Sequence, residues 1–304
     1  MNHCKAYNDS GLFKKEESIW MPTFLTELIV IVLINLFTLA TFARNRHLRK
    51  RSTYLVINLT IADLLLGVAA VLLTILKSRI LESHNILGEH FNWYAFLFLT
   101  LDSLFPAASL ANLSLISLER LHATIYPFRH CLIREQVYFT VITFSWLLAL
   151  LFAFMMAILV FLRAQFTLFF YIFASYCFIT VLIITVSYVI IVLNVKSSPQ
   201  SNIFGSKLLK EKKLSITLFV MTVASFLTIL PWAVWVAILS NIWCELSPVI
   251  AYRFNLTFSA LYLCNSIVNP IIYALRMQEF RKAARKLCCY RESKPVESIE
   301  LPAV

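Results

Sequence analysis

Seven apolar segments, each long enough to cross a lipid bilayer, limit what this chain of 304 residues can fold into. A helix needs about 20 mainly apolar residues to span the hydrocarbon core. The segments lie near 21–44, 52–77, 91–122, 136–161, 166–195, 211–239 and 248–274, and an amphipathic stretch follows at 277–289. Backbone polar groups in lipid must be satisfied by helices or by a closed barrel. A barrel would alternate polar and apolar residues over segments of about ten, with many turns. Unbroken apolar runs and only 4 Gly favour helices. The expected fold class is therefore all-α: a seven-transmembrane helix bundle with a short amphipathic eighth helix. The expected layout is an extracellular N-terminal segment over 1–20, the bundle over 21–276, an amphipathic juxtamembrane helix over 277–290 and a cytoplasmic tail over 291–304.

Charge supports lipid as the solvent. Only 14% of residues are charged, against about 25% in soluble proteins. The net charge of +11 would suggest nucleic acid for a soluble protein. Here the basic residues sit in short runs between apolar segments, which is topology rather than nucleic-acid binding. With the N-terminus outside, 20 of the 27 Lys and Arg fall on the inner side. That bias predicts a multi-pass protein of the plasma membrane with an extracellular N-terminus. Asn8-Asp9-Ser10 is a glycosylation sequon on the side so predicted. The first 19 residues are polar and mixed in charge, so no cleavable signal is expected.

The seven Cys show no metal-ligand spacing. Cys177 and Cys264 fall in apolar segments, Cys131, Cys288 and Cys289 fall inside, and only Cys4 and Cys244 face outside. A disulfide framework is not the basis of this fold. Cys4 and Cys244 could still form an outer clasp; two free thiols are the alternative.

Asp63 and Asp102 lie within predicted spans, Glu27 in the outer part of the first and Glu119 at the inner end of the third. A carboxylate at mid-membrane costs roughly 2.5–3.5 kcal/mol unless it is paired, hydrated or protonated. Ser109, Asn265, Ser266 and Asn269 could share a pocket with Asp63. Such oxygen ligands suit a small hard cation or ordered water. The alternative is a locally satisfied carboxyl that only fixes packing. Asn265 and Asn269 share a helical face. Pro270 removes a backbone donor, so a kink or hinge is expected there.

These residues carry a pattern. Asn35 marks the first span, and Leu59-Thr60-Ile61-Ala62-Asp63 has the form LxxAD in the second. Glu119-Arg120-Leu121 ends the third and is followed by Tyr126-Pro127. Trp146, Tyr188 and Pro231 mark the next three spans. Asn269-Pro270-Ile271-Ile272-Tyr273 has the form NPxxY in the seventh, and Phe280 follows. In this order, one per span, they resemble the rhodopsin-like, or class A, G-protein-coupled receptors.

The resemblance implies a receptor rather than an enzyme, with an extracellular ligand, a heterotrimeric G protein and membrane lipid as partners. It implies no cofactor beyond a structural Na+ at Asp63, held with Ser109, Asn265, Ser266 and Asn269. Arg120 would pair with Glu119 at rest and meet the G protein on activation. Glu211 stands where some members carry an inner ionic lock to this Arg; a solvated charge among lysines is the alternative. The sixth helix would swing outward about Pro231, and Tyr188 and Tyr273 would close over the opened space. The chain departs from the pattern at Ile229, where a Trp is usual, at Thr180, where a Pro is usual, and at Ser225. Ala95 replaces the usual disulfide Cys, and Pro106 interrupts the third span. These departures look like the melanocortin, adenosine and cannabinoid-related branch, the melanocortin side best.

Asp102 precedes Arg120 by 18 residues, about five helical turns. Receptors for biogenic amines use an Asp at this spacing to hold an ammonium. Tyr176, Trp232, Trp235 and Tyr262 could supply aromatic walls. A peptide, nucleoside or lipid ligand remains open. Cys288 and Cys289 follow a basic amphipathic helix and suit S-palmitoylation. A secondary transporter is the competing class, but no inverted repeat is visible. An enzyme would need a convergent catalytic set, and the six His are scattered.

Overall fold

The computed structural model describes residues 10–49, 51, 53–82, 89–161, 166–197, 220, 223–235, 238 and 248–288. Its helices run in the order expected. The first five spans are α1 (Ser10–Arg44), α2 (Thr53–Glu82), α3 (Glu89–Ile125), α5 (Glu135–Phe161) and α6 (Phe166–Ser197), with the short α4 (Pro127–Cys131) between the third and fourth. The described part of the sixth span is α7 (Val223–Trp235). The seventh span is two helices, α8 (Pro248–Leu263) and α9 (Asn265–Arg276), and the amphipathic helix is α10 (Gln278–Cys288). Among the described residues, six helical stretches are long and apolar enough to cross a membrane.

Three details differ from expectation. Helix α1 starts at Ser10, well before the apolar segment. Leu12, Lys14, Lys15, Glu16 and Glu17 are good helix formers, so the helix extends outward beyond the apolar stretch. Helix α4 falls where the sequence suggested only a loop. Pro127 begins it, a position where a missing N–H is harmless. The seventh span breaks at Cys264, whose carbonyl accepts from both Ile267 and Val268 at 3.0 Å.

The bundle inverts the pattern of a soluble protein. Leu33, Leu151, Phe178 and Leu227 are more than half exposed, whereas Asn35, Asn58, Asp63 and Asn112 are buried. An apolar surface around a polar interior suits lipid as solvent. Helix α3 is central and packs against α2, α5 and α6, while α1 packs against α2, α8, α9 and α10. Here the inner end is the one that carries Arg120 and α10, and the outer end is the opposite one. At the inner end, Phe42, Leu59, Tyr188, Ile272, Tyr273 and Phe280 form one buried cluster. Phe280 and Ala283 tuck α10 into it, while Lys282, Arg285 and Lys286 face outward.

Gly67 sets the spacing of α1 and α2. A Cβ there would lie 2.9 Å from the Cγ2 atoms of Ile31 and Val32. Both neighbours are β-branched and stiff, so glycine permits this close approach.

Candidate functional site

Asp63 is fully buried and accepts three side-chain hydrogen bonds. Ser109 of α3 donates to Oδ1 at 2.8 Å, Ser266 of α9 donates to Oδ1 at 2.9 Å, and Asn269 donates to Oδ2 at 2.9 Å. Three helices thus converge on one carboxylate. The break at Cys264 and the lost donor at Pro270 set the local path of α9. Pro270 cannot bond the carbonyl of Ser266, four residues back. Asn35 of α1 takes that carbonyl instead, at 3.1 Å.

Several oxygens near this carboxylate lack donors. Asn35 Oδ1, Asn265 Oδ1 and Asn269 Oδ1 are buried and unpartnered, as is the Tyr273 hydroxyl. A cavity of about 10 Å³ touches Ser109, Asn265 and Ser266, about the room for one water. Among the described residues no cluster of three or more His, Cys, Asp or Glu exists. One carboxylate among neutral oxygens suits a small hard cation of single charge, or ordered water. Of the four residues expected around Asp63, Ser109, Ser266 and Asn269 bond its carboxylate and Asn265 meets Ser109 and Ser266 at the small cavity, and the orphaned Asn oxygens fit the group.

Outward of this core lies a cavity of about 380 Å³, within the range of small-molecule sites. Asp102, Trp232 and Tyr262 line it. Asp102 is exposed within the cavity. The Trp232 ring stacks on Tyr262 at 5.0 Å and meets Phe173 edge-on at 5.1 Å. Leu66, Pro106, Tyr262 and Leu263 line both this cavity and the small one over Ser109. A ligand would thus rest on the same walls that enclose the polar core.

Two aromatic residues expected here are used elsewhere. The Tyr176 hydroxyl donates to the Ala107 carbonyl at 2.7 Å, and its ring stacks on Phe152. Trp235 packs against Phe254 and Phe258. Neither lines the cavity.

At the inner end, Arg120 Nε lies 2.7 Å from Glu119 Oε2. Glu119 Oε1 also accepts from Tyr138 at 3.3 Å and lies 3.2 Å from His130 Nε2. His130 Nδ1 is 3.4 Å from His122 Nδ1. Helix α4 brings His130 there, so a residue scattered in sequence joins the Arg120 pair. Tyr188 and Tyr273 are buried in the inner cluster, with Pro231 in α7 and Pro270 in α9. Glu211, Cys4, Cys244, Asn8 and Cys289 lie outside the described residues; Cys288 ends α10.

Sequence reasoning missed a second polar network. Asn58 donates to Asn112 Oδ1, and Trp146 Nε1 donates to Asn58 Oδ1 at 3.0 Å. It ties α2, α3 and α5 together. Buried Asn in an apolar span was the available signal. Glu27, in the outer part of the first span, accepts from Cys264 Sγ at 3.3 Å.

The profile of the family described as 7 transmembrane receptor (rhodopsin family) matches residues 34–273. Melanocortin receptor 4 of Danio rerio is 23% identical over 292 residues, covering 88% of this chain and 82% of the relative. Melanocortin receptor 5 of Mus musculus is 22% identical over 308 residues, covering 94% and 90%. The D(1) dopamine receptor of Carassius auratus is 31% identical over 162 residues, covering 52% and 43%.

Proposed function

The chain belongs to the rhodopsin family of seven-transmembrane receptors, and from that premise we propose that it binds a small cationic amine in its outer cavity. As a family member it is a multi-pass membrane receptor that acts through a G protein. In the proposal the G protein is heterotrimeric and the receptor sits in the plasma membrane with its N-terminus extracellular. Asn8 carries the glycan, Cys288 and Cys289 carry palmitate, and Cys4 and Cys244 form the outer clasp.

One observation carries the mechanism: the outer cavity and the Asp63 core share the walls Leu66, Pro106, Tyr262 and Leu263. A ligand pressing on those walls changes the affinity of the core for Na+ or water. Na+, when bound by Asp63 and its neighbours, supplies positive charge that favours the resting packing. Linkage makes the effect reciprocal. The ligand biases a two-state bundle through its differential affinity for the two states. The sixth helix moves outward about Pro231 with Pro270 as a second hinge, the Glu119–Arg120 pair opens, and Arg120 meets the G protein. Tyr188 and Tyr273 close the opened space, and Glu211 holds the resting state from the start of the sixth span.

A peptide is the second reading. It is favoured by the two melanocortin receptors, which match most of the chain. The amine reading is favoured by Asp102 in the cavity and by the dopamine receptor's match over half of it. Guanine-nucleotide exchange on a co-expressed G protein tests coupling. Exchange above background in the wild type that vanishes with Arg120→Ala is expected; equal exchange in both would overturn it.

A further inference from the structure

The open space beside Asp102 is not distributed evenly around α3. Leu110, Met156, Phe173, Cys177, Ile229 and Ala233 form a buried cluster that fills the region between α3, α5, α6 and α7. Tyr176 and Phe152 pack against that cluster. The Tyr176 hydroxyl is already committed to Ala107, and Thr180 bonds its own helix at Tyr176 and Cys177. Among the described residues, no polar group of α6 lines the cavity. The volume lies instead toward α1, α2 and α8. Phe24 and Leu28 supply one side, and Ala69, Ala70 and Leu73 another. Asn255 and Ser259 of α8 line it as well. They sit four residues apart, so they share one helical face.

Asp102 has no ion-pair or hydrogen-bond partner among the described residues. An unpaired carboxylate on a largely apolar cavity wall offers a cation a partner that water alone would otherwise supply. The wall toward α1 and α2 is apolar over Phe24, Leu28, Ala69, Ala70 and Leu73, with Thr74 at its edge; Ser103 beside Asp102 and the amide and hydroxyl of α8 add polar groups to the cavity.

We propose that the ligand is a cationic amphiphile whose ammonium sits on Asp102 and whose aliphatic body extends between α1, α2 and α8, away from α5 and α6. This rests on the amine reading and narrows it. An amine carried on a hydroxylated ring fits this wall less well: Phe24, Leu28, Ala69, Ala70 and Leu73 offer its ring hydroxyls no partner, and Thr180 and Tyr176 of α6 are already bonded elsewhere. Asn255 and Ser259 take the ammonium protons that Asp102 leaves, or a second polar group on the ligand.

The test uses the purified full chain in lipid nanodiscs, with thermal midpoint as readout. The probes are n-octylamine, 1-octanol and tyramine. Octanol partitions into lipid as a neutral counterpart of octylamine, so it corrects for effects on the bilayer. Octylamine raises the midpoint beyond octanol and tyramine in the wild type. Its half-saturating concentration rises roughly 10- to 100-fold in Asp102→Asn, the range for losing a hydrogen bond to a charged group. Ala70→Phe fills the compartment and abolishes the shift; Ala70→Val weakens it and serves if the larger side chain prevents folding. Cys177→Ala, in the packed cluster, leaves the shift in place. Loss in Asp102→Asn with full retention in both Ala70 variants overturns the proposed seat but leaves the amine reading standing. A larger shift with tyramine than with octylamine overturns the proposal but leaves the amine reading standing; an equal response in wild type and Asp102→Asn, or no response to either amine, overturns both. Arg120-dependent nucleotide exchange reads coupling separately from either result.

Discussion

The Asn35 amide donates at 3.1 Å to the Ser266 carbonyl, the very carbonyl that Pro270 leaves without its helical partner. The proline that kinks the seventh span thus also creates the acceptor that ties it to the first. A buried carbonyl without a donor costs about 1–3 kcal/mol. Asn35→Leu should therefore destabilise the bundle by about that amount. In a Pro270→Ala background the restored N–H can bond Ser266, so the same substitution should cost less. Thermal unfolding of the four variants in nanodiscs measures the coupling. Equal losses in both backgrounds would remove this role from Asn35.

The Asp63 site predicts a sodium effect. Asp63→Asn keeps the shape but removes the charge and replaces an acceptor with a donor that faces Ser109, Ser266 and Asn269. Agonist affinity should fall with sodium in the wild type, several-fold between choline and sodium buffers, consistent with typical coupling of 1–3 kcal/mol. The variant should show no such dependence. An identical sodium response in both chains would fail the assignment.

How much was legible beforehand follows the same physics. Polar residues in lipid are costly, so Asp63, Ser109, Asn265, Ser266 and Asn269 stood out by type and register alone. Helix α10 was legible because one face meets water and the other the bundle. The fourth and fifth spans were harder. Lipid and protein interior are both apolar, so periodicity does not say which face of α5 or α6 turns inward. Tyr176 and Trp235 were expected to wall the cavity, but packing directs them to Ala107 and to Phe254 and Phe258. His130 carried no sequence signal, because only the turn into α4 sets it against Glu119. The split at Cys264 was equally invisible, since Cys264 is an unremarkable apolar-segment residue until its carbonyl accepts twice.

His130 should restrain the resting state. With His130 neutral, its Nε2–H donates to Glu119 and its Nδ1 accepts from His122 Nδ1–H, which is one consistent proton arrangement for the 3.2 Å and 3.4 Å contacts. Removing the ring with His130→Ala loosens Glu119 and so Arg120. Basal nucleotide exchange should rise about 2- to 10-fold, the effect of losing roughly 0.5–1.5 kcal/mol of hydrogen bonding. His130→Gln, which can still donate to Glu119, should restore most of the restraint. Basal exchange equal in wild type and His130→Ala would count against any restraint by this side chain.

Gly67 offers a test of fold without touching any polar site. Its missing side chain lets α1 and α2 approach, and an added Cβ would sit 2.9 Å from two branched methyl groups. Val32 N is 3.4 Å away, so the backbone limits how far that side can yield. Gly67→Ala gains helix propensity of about 1 kcal/mol, set against overpacking of about 1–3 kcal/mol. Contact with two stiff neighbours and a backbone atom favours the second effect. The thermal midpoint in nanodiscs should fall, and Gly67→Leu should lower it further. In an Ile31→Ala background, itself destabilised by a lost core side chain, Gly67→Ala should cost less than in the wild type, because one of the two crowding methyls is gone. A midpoint that rises in Gly67→Ala would mean the helices separate freely, and that close packing of α1 on α2 does not position Asn35 against Ser266.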